Sequence, residues 1–277
     1  MGLRIATNPA SLNAQRNLTN TLRFQNQAMA RLSSGFRINQ AADDAAGLAI
    51  SENLRAQIRG MRQAARNTQD GISLVQVAEG GLNEVSSILT RLRELAIQAA
   101  SDTVGDTERK FIDVEYQQLK SEIQRITEST QFNGYDLLNG TGGVIDVQVG
   151  VHNDNFKDRI SFNAAAANAT LESLGLTAES VASKQMAQMS IDVVDNSLVS
   201  VNAIRANFGA LQNRLQSTFT NLQIADENYS AANSRIRDTD VAAETAELTR
   251  NSILLQAGIS VLGQSNSTQQ MALKLLG

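Results

Sequence analysis

Both ends of this chain repeat apolar residues at helical spacing and have few charged side chains. Residues 1–42 contain five arginines and no acidic residue, and residues 251–277 contain one charged side chain, Lys274. An amphipathic helix gains most of its stability by packing its apolar face against a neighbour. We therefore expect the two ends to pack against each other and against copies of themselves, which favours assembly over catalysis.

The composition is typical of thin helical bundles. Hydrophobic residues make up 42% of the 277 residues, aromatic residues only 4%, and Pro9 is the single proline. The net charge of −4 gives no overall attraction to nucleic acid. The chain has no cysteine, so disulfides and thiolate chemistry are excluded. No apolar run is long enough to span a membrane, and the N-terminus does not resemble a secretory signal peptide.

Apolar residues spaced three, four or seven positions apart predict long helices along most of the chain. The predicted helices cover about 11–31, the segment from Asp43-Asp44 to Ala99, 106–129, 178–236 with Thr177 as N-cap, and the stripe from Val241 to Leu276. At 1.5 Å per residue, the helix over 178–236 would span roughly 90 Å, which predicts a rod.

The segment 144–163 has a different periodicity. Ile145, Val147, Val149 and Val151 alternate with polar residues or glycine, and Ile160 and Phe162 repeat the alternation. Strict alternation is typical of strands, so we predict a β-hairpin with a turn around His152. The predicted fold is mainly α: an elongated antiparallel helical bundle or coiled coil with a small β-hairpin and paired termini.

Several motifs of the chain strongly resemble bacterial flagellin. They are Leu32-Ser-Ser-Gly-Phe-Arg-Ile-Asn39, Ala42-Asp-Asp-Ala-Ala-Gly-Leu-Ala-Ile50, Arg66-Asn-Thr-Gln-Asp-Gly-Ile-Ser73, Arg91-Leu-Arg-Glu-Leu-Ala-Ile-Gln98, Thr130-Gln-Phe-Asn-Gly134, Ser234-Arg-Ile-Arg-Asp238 and Gln256-Ala-Gly-Ile-Ser-Val-Leu262. The resemblance covers about 1–140 and 190–277 in order. Only about 140–190 remains between them, which implies a short form without the variable outer domains.

The resemblance implies a filament subunit with two domains. Residues 1–44 and 235–277 would form an inner coiled-coil domain, and residues 45–234 a rod-like helical domain with the hairpin. We expect the free monomer to have disordered ends that fold on assembly. The residues expected in the self-assembly core are Leu18, Leu22, Leu32, Leu255, Ile259, Leu262, Leu273 and Leu276.

The resemblance also implies partners and a location. Members of the family are exported through the flagellar type III channel without a signal peptide, so we expect an extracellular protein of the bacterial flagellum. The expected partners are further copies of the chain, an export chaperone that binds the C-terminal segment, and the filament cap and hook-associated proteins. By the same resemblance, Arg91, Leu95 and Glu115 would contact Toll-like receptor 5 on a free monomer.

Catalytic and metal-binding motifs are missing from the sequence. There is no H-E-x-x-H, no phosphate-binding loop and no G-x-S-x-G motif. His152 is the only histidine, and Asp43-Asp44 is best explained as a charge pair at a helix start. We therefore expect no enzyme activity, cofactor or metal site. Two alternatives stay open: a hook–filament junction protein and a cytoplasmic signalling coiled coil.

Overall fold

The computed structural model describes residues 7–274, and their side chains as far as residue 271. Within this range five long helices confirm the predicted mainly α fold: α1 (Pro9–Ser34), α2 (Ala45–Ala100), α3 (Asp106–Ser129), α4 (Lys184–Arg237) and α5 (Val241–Lys274). The two longest, α2 and α4, contain 56 and 54 residues. Neither contains a proline, so nothing in the sequence removes a backbone donor from these helices.

Polar side chains fix the first turns of α1 and α2. The side chain of Asn8 accepts a hydrogen bond from the backbone N–H of Ser11 at 3.1 Å, and Pro9 occupies the first turn of α1. The carboxylate of Asp44 accepts from the backbone N–H of Gly47 at 2.8 Å at the start of α2. The neighbouring Asp43 accepts from the backbone N–H groups of Asn39 and Gln40. Asp44 thus caps the start of α2, and Asp43 orders the turn that precedes it.

Four short strands lie between α3 and α4. Strands β1 (Gln131–Phe132) and β2 (Tyr135–Asp136) pair antiparallel around a turn in which Asn133 and Gly134 have positive φ values of 50° and 81°. Strands β3 (Val144–Gln148) and β4 (Arg159–Asn163) form the predicted hairpin, with Ile145 opposite Phe162 and Val147 opposite Ile160. A short 3₁₀ turn follows at Ala164–Ala167.

The segment that precedes α4 differs from the prediction. Thr177 is not an N-cap, because α4 begins seven residues later, at Lys184. The ammonium group of Lys120 on α3 donates to the carbonyl oxygens of Thr177 and Glu179, at 3.1 and 2.7 Å. The carboxylate of Asp113 accepts from the backbone N–H of Val181 at 2.8 Å. These hydrogen bonds with side chains of α3 occupy backbone groups that would otherwise form the first turns of a helix.

The chain divides into two compact units. The terminal unit comprises Met1–Ala56 and Asn228–Gly277, and the middle unit comprises Gln57–Glu227. The continuous apolar core belongs to the middle unit, where α2, α3, α4 and the strands bury large side chains such as Leu82, Leu89, Leu137, Ile123 and Leu176. The rings of Phe162 and Phe208 join the hairpin to α4 at 5.1 Å between centroids.

Candidate assembly surface

The terminal unit is built on an antiparallel pair of helices, α1 and α5. The side-chain amide of Asn8 donates to the carbonyl oxygen of Ser265 at 3.2 Å, and the hydroxyl of Ser11 donates to Asn266 at 3.1 Å. Near the other end of the pair, Arg31 lies 3.6 Å from Glu244. Residues early in α1 thus lie beside residues late in α5, as the predicted pairing of the termini requires.

A series of less exposed residues runs along each of the two helices at steps of three and four. This spacing is that of an antiparallel coiled-coil seam. We name these residues the contact positions; they are Ser11, Ala14, Leu18, Thr21, Gln25, Ala28 and Leu32 on α1, and Glu244, Leu248, Asn251, Leu255, Gly258, Leu262 and Ser265 on α5. Leu18 packs directly over Gly258, where an added Cβ would lie 2.9 Å from its Cδ1 atom.

The eight residues predicted for the self-assembly core fall into three groups. Leu18, Leu32, Leu255 and Leu262 are half-buried contact positions within the single chain. Leu22 and Ile259 lie outside the seam, 39% and 55% exposed. The side chain of Leu273 and the whole of Leu276 lie outside the described residues. Small and polar contact positions such as Ser11, Ala28 and Asn251 escaped the sequence analysis, because they have no hydrophobic periodicity of their own.

The terminal unit buries very little apolar surface among its described residues. Only Ala28 and Ile38 are buried hydrophobic side chains there. In contrast, its exposed large hydrophobic residues are Leu12, Leu22, Phe24, Met29, Phe36, Ile50, Tyr229, Val241, Ile253, Leu254, Ile259, Val261 and Met271. Contiguous exposed apolar surface on a soluble protein marks a site of association. The segments Pro9–Ser34 and Val241–Lys274 are helical in the structure, although the sequence predicts disordered ends in the free monomer, and the α1–α5 pair has little buried apolar surface to stabilise it.

Backbone hydrogen bonds link the turn after α1 to the turn before α5. The backbone N–H of Arg37 donates to the carbonyl of Arg237 at 2.7 Å, and that of Thr239 donates to the carbonyl of Gly35 at 3.0 Å. The guanidinium of Arg237 lies 4.7 Å from the centre of the Phe36 ring and pairs with Glu52. The hydrogen bond from Arg237 lowers the pKa of Glu52 below its ordinary value. The turn after α1 and the turn before α5 therefore form one junction.

Two of the three residues expected to contact a receptor lie together on the surface of the middle unit. The guanidinium of Arg91 on α2 pairs with Glu115 on α3 at 3.0 Å and with Glu94 at 2.9 Å. Hydrogen bonds from Arg91 to Glu94 and then Glu115 raise the pKa of the arginine. Leu95, however, is 1% exposed and belongs to the apolar core. In the folded chain Leu95 positions α2 and offers no surface to a partner.

Metal-holding clusters and membrane-spanning helices are absent from the part of the chain that the structure describes. No group of three or more histidine, cysteine, aspartate or glutamate side chains is placed to hold a metal ion there. His152 lies exposed in the turn between β3 and β4. None of the described helices combines the length and apolarity needed to cross a membrane.

Comparison with known proteins identifies the family. The chain matches the bacterial flagellin N-terminal helical region over residues 5–142 and the bacterial flagellin C-terminal helical region over residues 191–276. It is 47% identical over 269 residues to a flagellin of Halalkalibacterium halodurans, covering 97% of this chain and 98% of that protein. It is also 42% identical over 286 residues to a flagellar filament core protein of Brachyspira hyodysenteriae, covering 98% of this chain and 99% of that protein.

A solved structure agrees with these matches. The crystal structure of Bacillus cereus flagellin superposes with a TM-score of 0.51 and is 34% identical, covering 57% of this chain and 88% of that chain. The matched terminal regions include both helices of the terminal unit as well as α2, α3 and most of α4. The paired termini, the long helices and these sequence matches together show that the chain belongs to the bacterial flagellin family.

Proposed function

We propose that this chain is the structural subunit that polymerises into a bacterial flagellar filament and so serves swimming motility. The observation that carries the proposal is the terminal unit, whose described residues bury only two hydrophobic side chains, Ala28 and Ile38, and leave many large apolar side chains exposed. Homologues named flagellin and flagellar filament core protein match the chain over nearly their full length. The filament provides the neighbours that these side chains lack in the single chain.

The two units have different places in the proposed filament. Residues 1–44 and 235–277 form the inner core of the filament, and residues 45–234 form the outer helical domain with the β3–β4 hairpin. The grouping of Met1–Ala56 with Asn228–Gly277 supports this division. The contact positions, among them Leu18, Leu32, Leu255 and Leu262, hold α1 on α5, while the exposed apolar residues contact other subunits.

The protein acts outside the cell as part of the flagellum. It reaches that place through the flagellar type III export channel, with a chaperone bound to the C-terminal segment before export. The filament cap and the hook-associated proteins are its further partners. It works without enzyme activity, in keeping with a family of structural proteins.

Seeded polymerisation tests the proposal. Sheared filaments of the full chain are added to full-length chain, to a chain lacking residues 1–34, and to a chain lacking residues 241–277, and growth is followed by negative-stain electron microscopy. The full chain should extend the seeds, and neither truncated chain should do so. The cooperative unfolding of the middle unit serves as the folding control. A truncated chain that grows at the full-length rate would overturn the proposal, and short caps instead of filaments would favour a junction protein.

A second role, as a ligand of Toll-like receptor 5, rests on the exposed pair of Arg91 and Glu115. The two charges lie on adjacent helices within the middle unit and are open to solvent. Leu95 is left out of this role because its side chain is buried. Arg91→Ala and Glu115→Ala should each weaken binding of the monomer to the receptor ectodomain, whereas Arg62→Ala, which breaks another exposed ion pair, should not. Equal binding by all three variants would contradict this role.

A further inference from the structure

Strand β4 has one edge paired with β3 and one edge free. The backbone N–H of Ala164, directly after β4, donates to the carbonyl of Gly143 at 2.8 Å. Successive residues of an antiparallel pair turn their N–H and C=O groups alternately toward the partner strand and away from it. The N–H groups of Arg159, Ser161 and Asn163 therefore point away from β3, along the free edge.

The two outer edges of this sheet differ in how they are covered. At the β3 edge, the side-chain amide of Asn67 on α2 donates to the carbonyl of Gln148 at 3.1 Å. At the β4 edge, the N–H groups of Arg159, Ser161 and Asn163 donate to no residue that the structure describes. Strand β4 also contains no proline and no lysine. An edge of this kind pairs readily with another extended segment.

A groove runs beside the free edge of β4 and over α4. One part of it is a cavity of about 320 Å³ between the end of β4 and α4. A second part, of about 440 Å³, lies between the start of β4 and α4. Arg214 lines both parts, so they are continuous. We name this surface the β4–α4 groove; its lining includes Lys157, Arg159, Ser161, Ile204, Leu211 and Arg214.

One end of the β4–α4 groove is basic. No aspartate or glutamate is among the described residues that line it. The guanidinium of Arg159 donates to side-chain oxygens of neutral residues, among them Gln148 at 3.2 Å, and that of Arg214 has no hydrogen-bonding or ionic partner among the described residues. Lys157 has one carboxylate nearby, Asp154 at 3.9 Å. This excess of positive charge favours an acidic ligand.

We propose that the β4–α4 groove binds an extended, acidic peptide segment of another protein as a third strand of the β3–β4 sheet. The backbone of the peptide pairs with the free edge of β4. Its side chains alternate between solvent and α4, where Ile204 and Leu211 contact apolar ones and Arg214 binds an acidic one. This is recognition by strand addition. The groove lies wholly within the middle unit, so the proposal does not depend on the filament function.

The free edge favours a peptide over a small acidic molecule. The outward N–H groups of Arg159, Ser161 and Asn163 are two residues apart, which places them about 7 Å from each other along the strand. A peptide backbone has carbonyl groups at the same repeat, whereas a small acid would satisfy the arginines and leave the rest of the edge unpaired. The apolar residues of α4 beside this edge fit the alternate side chains of a strand.

Fluorescence polarisation with the full chain tests the proposal. The probe is a short labelled peptide of alternating valine and threonine, with glutamates at its N-terminal end in one version and at its C-terminal end in another. The matched controls have lysines in place of the glutamates. Two further versions carry N-methyl groups on alternate residues, in the two possible registers. Only one register removes the N–H groups that face β4, because the other set faces away from the sheet.

The glutamate peptide should bind in at least one direction, several-fold more tightly than the lysine peptide. N-methylation should abolish binding in one register and spare it in the other. An equal effect of the two registers would overturn the proposal, because it would mean that the peptide backbone does not pair with an edge. Absence of binding by the glutamate peptide in both directions would overturn it as well.

Charge reversal in the groove gives a second readout. Arg214→Glu should weaken binding of the glutamate peptide several-fold and strengthen binding of the lysine peptide. Arg125→Glu, at an exposed position of α3 outside the groove, should change neither. Thermal unfolding of both variants is the folding control. Unchanged peptide binding by a folded Arg214→Glu variant would contradict the proposal.

Discussion

The guanidinium of Arg109 closes the turn between α2 and α3. It donates from Nε to the carbonyl of Ala99 at 2.8 Å and from a terminal nitrogen to the carbonyl of Ser101 at 2.9 Å, while its other terminal nitrogen pairs with Asp106 at 2.7 Å. The side chain is buried. It satisfies carbonyl groups at the C-terminal end of a helix, where a positive charge is also favourable.

Arg109→Ala should lower the free energy of unfolding of the middle unit by about 2 kcal/mol, because one buried and one partly buried carbonyl group lose a charged donor. Urea titration followed by circular dichroism measures the change. Arg109→Lys keeps the charge but not the three-way geometry, so it should lose an intermediate amount. A loss below about 0.5 kcal/mol for the alanine variant would be that of an ordinary surface change and would contradict this role.

Tyr116 makes the stability of the middle unit depend on pH at the alkaline end. Burial raises the pKa of its hydroxyl from the ordinary 10.0 to about 12. The folded state thus keeps this proton where the unfolded state loses it, so the contribution is full below pH 10 and is lost as the pH rises through about 12. The free energy of unfolding should fall over this range in the unsubstituted chain.

Tyr116→Phe should remove most of that alkaline fall, and Tyr229→Phe, at an exposed position, should leave it unchanged. Urea titrations at a series of pH values from neutral to alkaline give the comparison. An equal alkaline fall in the Tyr116→Phe variant would show that another group is responsible.

At the scale of elements, two adjacent glycines in α2 have opposite surroundings. A Cβ atom at Gly80 would meet nothing within 4 Å, whereas one at Gly81 would lie 2.7 Å from Thr130 Oγ1 and 2.9 Å from Leu138 Cδ1. Leu138 is buried, and the Thr130 hydroxyl donates to the carbonyl of Ile126 at 2.7 Å. The segment after α3 therefore packs against α2 at Gly81.

Gly80→Ala should stabilise the middle unit by up to about 1 kcal/mol, because alanine is the better helix former. Gly81→Ala should destabilise it by about 1–3 kcal/mol, because the new methyl group overpacks a buried contact. Thermal and urea unfolding of the two variants, measured side by side, test the packing of this segment. Stabilisation by both substitutions would show that the contact at Gly81 is loose.

The sequence predicts the elements well wherever a residue pattern is sustained. The spacing of Leu82, Val85, Leu89 and Leu92 indicates the buried face of α2. The alternation from Ile145 to Val151 predicts the β3–β4 hairpin. The start of α4 could not be read in this way, because Lys120 and Asp113 come from a distant helix and hold the backbone before it. The β1–β2 pair was missed although Asn133-Gly134 is a typical hairpin turn.

The candidate site is less predictable, because its geometry depends on the partner helix. The spacing of apolar residues is enough to predict Leu18 and Leu255 as contact positions. Gly258 cannot be predicted in this way, because its role depends on Leu18, which packs over it from the other helix. Leu22 and Ile259 share the apolar character of the core leucines and yet lie outside the seam. Only the antiparallel pairing separates the residues that hold α1 on α5 from those left exposed.

At the scale of the whole molecule, the two units differ in how much apolar surface they bury. The middle unit has a continuous core over α2, α3, α4 and the strands, whereas the described part of the terminal unit buries only two hydrophobic side chains. Regions with few buried apolar contacts open at low cost in free energy. The terminal unit should therefore be the less stable one in a free chain and should gain most from assembly.

Hydrogen exchange measured by mass spectrometry, on the free chain and on filaments grown from it, tests this account most directly. In the free chain the amides of α1 and α5 should exchange quickly, while those of α2 from Ile72 to Ala99 should exchange slowly. In filaments, α1 and α5 should become protected by several orders of magnitude, because their exposed apolar residues are then covered. Rapid exchange of α1 and α5 in filaments, unchanged from the free chain, would contradict the claim that the paired termini form the assembly core.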